Sequence, residues 1–151
     1  METKNYRKFI LMLLASFVVM YFVMYSMLAS FGHFYFSVSR LYMTFLMIAP
    51  MALIMLGFMG AMYTNKKKNT LIVLGGIVVF AVVFVFLQNQ TFIGDKAYMK
   101  AMIPHHSAAI LTSENAEISD PQVRELADEI IRAQRREITE MKQILARMEN
   151  E

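Results

Sequence analysis

The chain has 151 residues, 57% of them hydrophobic, with 15 Lys/Arg against 12 Asp/Glu and three histidines. It has no cysteine, which excludes disulfides, thiolate metal sites and thiol redox chemistry. The formal net charge of +3 is unevenly spread: residues 1–94 hold seven Lys/Arg against Glu2 alone, and residues 95–151 hold eight against eleven acidic groups. The positive surplus therefore flanks apolar segments and gives no argument for nucleic acid.

Three apolar runs, over residues 9–31, 41–63 and 71–87, approach or exceed the roughly 20 helical residues a bilayer core requires. None has Asp, Glu, Lys or Arg in its interior. The first follows Lys4, Arg7 and Lys8 like a secretion signal, but its apolar stretch is longer than a signal core and no small-x-small cleavage site follows, so it reads as a retained anchor. Short basic loops are held on the cytoplasmic side of a membrane. Lys4, Arg7 and Lys8 then place the amino terminus inside, and Lys66, Lys67 and Lys68 do the same for the second loop. Three crossings deliver the tail to the extracytoplasmic (periplasmic) side of an inner membrane, together with the first loop and its His33. His33, beside Phe34, Tyr35 and Phe36, suits the headgroup level.

Within the second run, Met43, Met47, Met51, Met55 and Met59 recur every fourth residue, and Met20, Met24 and Met27 form a shorter set in the first. Thioethers are soft ligands for Cu(I), so a transport path is conceivable. The simpler reading is flexible apolar filling. Gly57 and Ala61 predict a close helix contact, and Pro50 a kink.

The chain thus divides into a three-span membrane region, residues 1–92, and an extracytoplasmic tail, residues 93–151. The tail reads as an antiparallel two-helix hairpin. Asp95 is the expected cap of its first helix, in which Met99, Met102, His106 and Ala109 share a face. Pro104 should bend that helix. Asp120 caps the second helix and Pro121 takes its first position, the helix running to about residue 148. Its seam reads Val123, Ala127, Ile130, Gln134, Glu137, Met141, Ile144 and Met148, widened by Leu126, Ile131, Ile138 and Leu145.

Gln134 and Glu137 are wrong for a pure packing seam and need partners. Folding about residues 119–121 sets Gln134 level with His106, so the polar break faces His105 and His106, with Met102 facing Glu137 or Met141. The expected constellation is His105, His106, Met102, Met99, Glu137 and Met141, with Gln134 behind it as a supporting group. Adjacent helical residues diverge by about 100°, so the two rings cannot easily serve one ion. With methionine the set favours Cu(I) or Ag(I); with His and Glu alone, Zn(II) or Cu(II). A hairpin of this size buries little surface alone, so a homo-oligomer completing a four-helix bundle is expected.

Met102-Ile103-Pro104-His105-His106, then Ala109-Ile110, then Leu126-Ala127-x-x-Ile130-Ile131-x-x-Gln134-x-x-Glu137-Ile138-x-x-Met141 resembles the DUF-305 domain, a helical family of uncharacterised function. The resemblance covers residues 95–148. It implies a ferritin-like bundle and, for some relatives, export and copper or silver handling through Met and His. The chain departs from the family at Thr112, where a methionine is usual, and at Ile144, where an aromatic is usual.

The functional expectation is a membrane-anchored extracytoplasmic protein that binds copper, as Cu(I), to buffer or sense it. The alternative is a structural or partner-docking membrane protein whose His-Glu network only holds the bundle together. Catalysis is not expected: no nucleophile adjoins a base, and no phosphate loop or paired Glu-x-x-His motif is present.

Overall fold

The computed structural model describes residues 2–150, and among these every regular element is helical. The elements are α1 (Glu2–Val23), α2 (Val38–Phe58), α3 (Lys66–Gln88), α4 (Asp95–Asn115) and α5 (Pro121–Glu149), with single 3₁₀ turns at Phe31–His33 and Gly60–Met62. Stretches of α1, α2 and α3 (Lys4–Val23, Val38–Phe58 and Lys66–Gln88) are long and apolar enough to cross a membrane. The chain forms two compact units. One contains the residues up to Val23 and Ser39–Thr91; the other contains Met24–Val38 and the chain from Phe92 onward. The first loop thus joins the hairpin's unit, which spacing along the sequence does not reveal.

In the first unit, Tyr6, Phe9, Ala52, Leu56 and Tyr63 form a buried cluster. The rings of Tyr6 and Phe9 each lie 5.3 Å from that of Tyr63. Asn69 ties this cluster together: the Tyr6 hydroxyl donates to Asn69 Oδ1 at 2.6 Å, and Asn69 Nδ2 donates to the Tyr63 backbone carbonyl at 2.7 Å. Asn65 caps α3 by accepting from the Lys68 amide. No residue of α3 is buried. A helix so apolar and so bare within its own unit suits a hydrocarbon surrounding rather than water.

Met55 and Met59 pack against this cluster as apolar filler, whereas Met47 faces outward. The methionine repeat therefore does not line one internal path. The close approach between α2 and α3 is made by Gly76, where an added Cβ would come within 3.3 Å of Leu53. Gly57 has open space around it and Ala61 lies in the 3₁₀ turn, so the expected Gly57–Ala61 contact is replaced by the one at Gly76. Pro50 is accommodated inside a helix that continues to Phe58.

α3 ends by left-handed backbone at Gln90 (φ 49°), with the Thr91 amide returning to the Phe86 carbonyl. Gly94, not Asp95, occupies the cap position of α4, and Asp95 supplies the acidic group of its first turn. Pro104 is fully buried within α4, which continues through it to Asn115. Asp120 accepts from the amides of Gln122 and Val123, with Pro121 at the start of α5.

The hairpin core is Ile103, Ile110, Ile138, Met141 and Leu145, flanked by Tyr35, Met99, Met102 and Ile131. On α5 the inward row is Ala127, Ile131, Gln134, Ile138, Met141 and Leu145, steps of four and three. The expected seam differs at alternate positions: Ile130, Glu137 and Ile144 lie to one side. Both rows have the same period and both are largely apolar, so only the contact with α4 selects between them. Val123, Leu126 and Ile130 consequently face outward.

Candidate functional site

The turn at 119–121 sends α5 back along α4, and the cross-links descend in antiparallel order. Arg124 donates to the Ser113 carbonyl, His106 meets Glu137, and Lys100 reaches Glu149. One helical turn before His106, Met102 points to the same side of α4; Glu137 and Met141 are one turn apart on α5. These four residues, with Met99, line one open cavity of about 340 Å³. Tyr98, Glu140 and Ile144 complete its wall.

His106 Nδ1 lies 3.0 Å from the Met102 carbonyl oxygen. That oxygen can only accept, so Nδ1 carries a proton and donates. The second nitrogen, Nε2, then faces Glu137 Oε2 at 2.9 Å. A proton on Nε2 makes this an imidazolium–carboxylate pair. An ion held here would take the place of that proton on Nε2, beside a carboxylate and three thioethers. Gln134 Nε2 donates to the same Glu137 oxygen across a long 3.4 Å.

Five of the six residues anticipated as ligands are thus gathered: Met99, Met102, His106, Glu137 and Met141. His105 is not among them. Its ring is 6.1 Å from that of His106 and inclined by 64°, its side chain is exposed, and it does not line the cavity. The 100° step between neighbouring helical residues accounts for this divergence. Thr112 also lies outside the cavity, exposed and donating back to the Ala108 carbonyl. The absence of methionine there removes no donor from this wall. Ile144, where an aromatic is usual, does line it.

Among the described residues, no group of three or more His, Cys, Asp or Glu side chains is placed to hold a metal ion. The cavity instead combines one imidazole, nearby carboxylates and three thioethers.

Sequence reasoning did not single out Ser107. It is fully buried, between Ile103 and Ile110 on the core face of α4. Its Oγ accepts from the Ala29 amide at 2.9 Å and lies 2.9 Å from His33 Nδ1. Having accepted from the amide, the hydroxyl keeps one lone pair and its own proton, so it can pair with either tautomer of the His33 ring. Burial, and then the nearby Lys142 ammonium, hold its pKa below the ordinary 6.5. A serine on an otherwise apolar face, four residues from Ile103 and three from Ile110, was the available signal.

A family model described as "Domain of unknown function (DUF305)" matches residues 89–151. "Uncharacterized protein L153" of Acanthamoeba polyphaga mimivirus is 34% identical over 144 residues, which is 93% of this chain and 93% of that protein. No solved structure matches.

Proposed function

The chain belongs to the DUF305 family, and from the side chains of its hairpin we propose that it is a membrane-anchored protein that binds Cu(I) and buffers or senses it. The observation that carries this reading is the shared cavity of His106, Met99, Met102, Met141 and Glu137. Its donor set is soft: three thioethers and one imidazole whose Nδ1 is already committed to a backbone carbonyl. Such donors suit Cu(I) or Ag(I), whereas Zn(II) ordinarily takes four ligands from Cys, His and carboxylates. The residues that would hold the ion are His106 through Nε2 and the three methionines, with Glu137 compensating its charge. The ion is cargo, so no redox step or reaction is assigned to it.

We place the hairpin on the extracytoplasmic side from the basic flanks Lys4, Arg7 and Lys8 and Lys66 to Lys68, together with three candidate spans. This placement is supported by the packing of the first loop on α4 through Ala29 and His33, as expected of two segments on one face of a bilayer. Pairing of two hairpins through Val123, Leu126 and Ile130 would cover an apolar row that α4 leaves open.

One observation favours the structural alternative. The His106–Glu137 contact already satisfies both groups without an ion. Titration of the detergent-purified full chain against Cu(I), by competition with a chromophoric chelator, and against Zn(II) separates the two. Saturable Cu(I) binding with weak or no Zn(II) binding supports the metal reading. Failure to bind Cu(I) leaves the His–Glu pair as a structural tie.

A further inference from the structure

The first unit contains an open apolar groove of about 360 Å³ between α1, α2 and α3. Phe9 and Leu13 of α1, Ala49 of α2, and Leu71, Gly75 and Val79 of α3 line it. The adjacent glycines of α3 have different surroundings. Gly76 takes the close contact with Leu53, while an added Cβ at Gly75 would meet nothing within 4 Å. Gly75 therefore leaves a slot rather than making a helix contact. From Leu71 to Val79 the groove follows roughly 12 Å of helix axis.

Cations cluster at one end. Lys67 and Lys68 stand one helical turn before Leu71 and Ile72, two groove residues of α3. Arg7 stands one turn before Ile10, which lines the groove from α1. All three side chains are exposed. The Lys68 ammonium lies 4.9 Å from the centre of the Tyr6 ring, and Tyr6 itself lines the groove. The Tyr6 ring thus holds one positive charge at the groove's mouth, and Lys67 and Arg7 each stand one helical turn from a residue that lines it.

We infer that this groove binds an anionic phospholipid of the surrounding bilayer, one acyl chain lying along Gly75 and the headgroup phosphate meeting Lys67, Lys68 and Arg7. The apolar slot selects a hydrocarbon chain and the cations select a negative headgroup; neither feature alone requires both halves of the ligand. The inference is independent of any metal bound by the hairpin.

Native mass spectrometry of the full chain, released from mixed micelles containing phosphatidylglycerol or phosphatidylcholine of identical chain length, tests it. The wild type should retain phosphatidylglycerol about tenfold or more over phosphatidylcholine. The exposed double substitution K67Q/K68Q should bring that ratio close to unity, and Gly75→Leu, which fills the slot, should reduce retention of both lipids. Equal retention of the two lipids by the wild type overturns the proposal, whatever the variants do. So does a groove closed by a second copy, seen as a lipid-free dimer, or an undiminished preference in K67Q/K68Q.

Discussion

His106 Nε2 lies 2.9 Å from Glu137 Oε2, tying α4 to α5 at the wall of a methionine-lined cavity. The side chains are 18% and 43% exposed, so water screens the pair and its net contribution is at most about 1 kcal/mol. Glu137→Gln should leave helix content intact and lower the thermal midpoint only slightly, as read by circular dichroism in detergent. Loss of the hairpin fold in that variant would make the pair an essential structural tie.

Ser107→Ala should cost more, although it removes a single oxygen. The Ala29 amide and His33 Nδ1 both lose a buried partner, a penalty of about 1–3 kcal/mol. Hydrogen exchange should show faster exchange at Ala29 and through residues 31–33, with α5 unaffected. Unchanged exchange at Ala29 would contradict the role given to this hydroxyl.

His33 makes the docking of that loop sensitive to acid. Its folded pKa is depressed below 6.5 by burial and by Lys142, so the unfolded segment binds the proton more readily than the folded one. The stabilisation is complete above pH 6.5 and is lost as the pH falls through the lower folded value. Protonation also fixes Nδ1 as a donor to the Ser107 hydroxyl. Protection of residues 29–34 should fall on acidification in the wild type and show no such pH step in His33→Gln.

Gln90 adopts the left-handed region at φ 49°, where a side chain is strained. Gln90→Gly removes that strain at the cost of greater freedom in the unfolded chain, for a net gain of about 0.5–1 kcal/mol. Thermal unfolding should shift upward; a downward shift would show that the Gln90 side chain contributes more than its backbone costs.

Leu126 tests the pairing of hairpins. It lies with Val123 and Ile130 on the outward row of α5, at 57% exposure. Light scattering in detergent should find a dimer for the wild type and a monomer for Leu126→Glu, with helix content unchanged. A monomeric wild type would exclude this pairing.

Much of the architecture is legible in the sequence because its signals are local. The apolar runs give three spans, and Asp120-Pro121 starts α5 by capping geometry alone. Counting back from the antiparallel turn sets Gln134 opposite His106 and Glu137 or Met141 opposite Met102, whereas the structure pairs His106 with Glu137, about one turn further along α5. What was not legible depends on contacts across the chain. Nothing local distinguishes Ile130 from Ile131, or Glu137 from Ile138, as the inward member of α5. The approach of α2 to α3 depends on Gly76 and Leu53, which lie far apart in sequence. The docking of the first loop rests on one serine hydroxyl, whose partners Ala29 and His33 precede it by more than seventy residues. The first apolar run also extends beyond the helix it forms: α1 ends at Val23, and Ser30 then caps the turn at Phe31–His33.

The adjacent histidines provide the sharpest test, because the same residue type occupies two environments one position apart. Cu(I) affinity should be measured by chelator competition on the full-length wild type, His105→Ala and His106→Ala. His106→Ala should weaken binding roughly tenfold or more, while His105→Ala should leave it within about twofold. Equal losses in both variants, or an effect confined to His105→Ala, would contradict a cavity site built on His106.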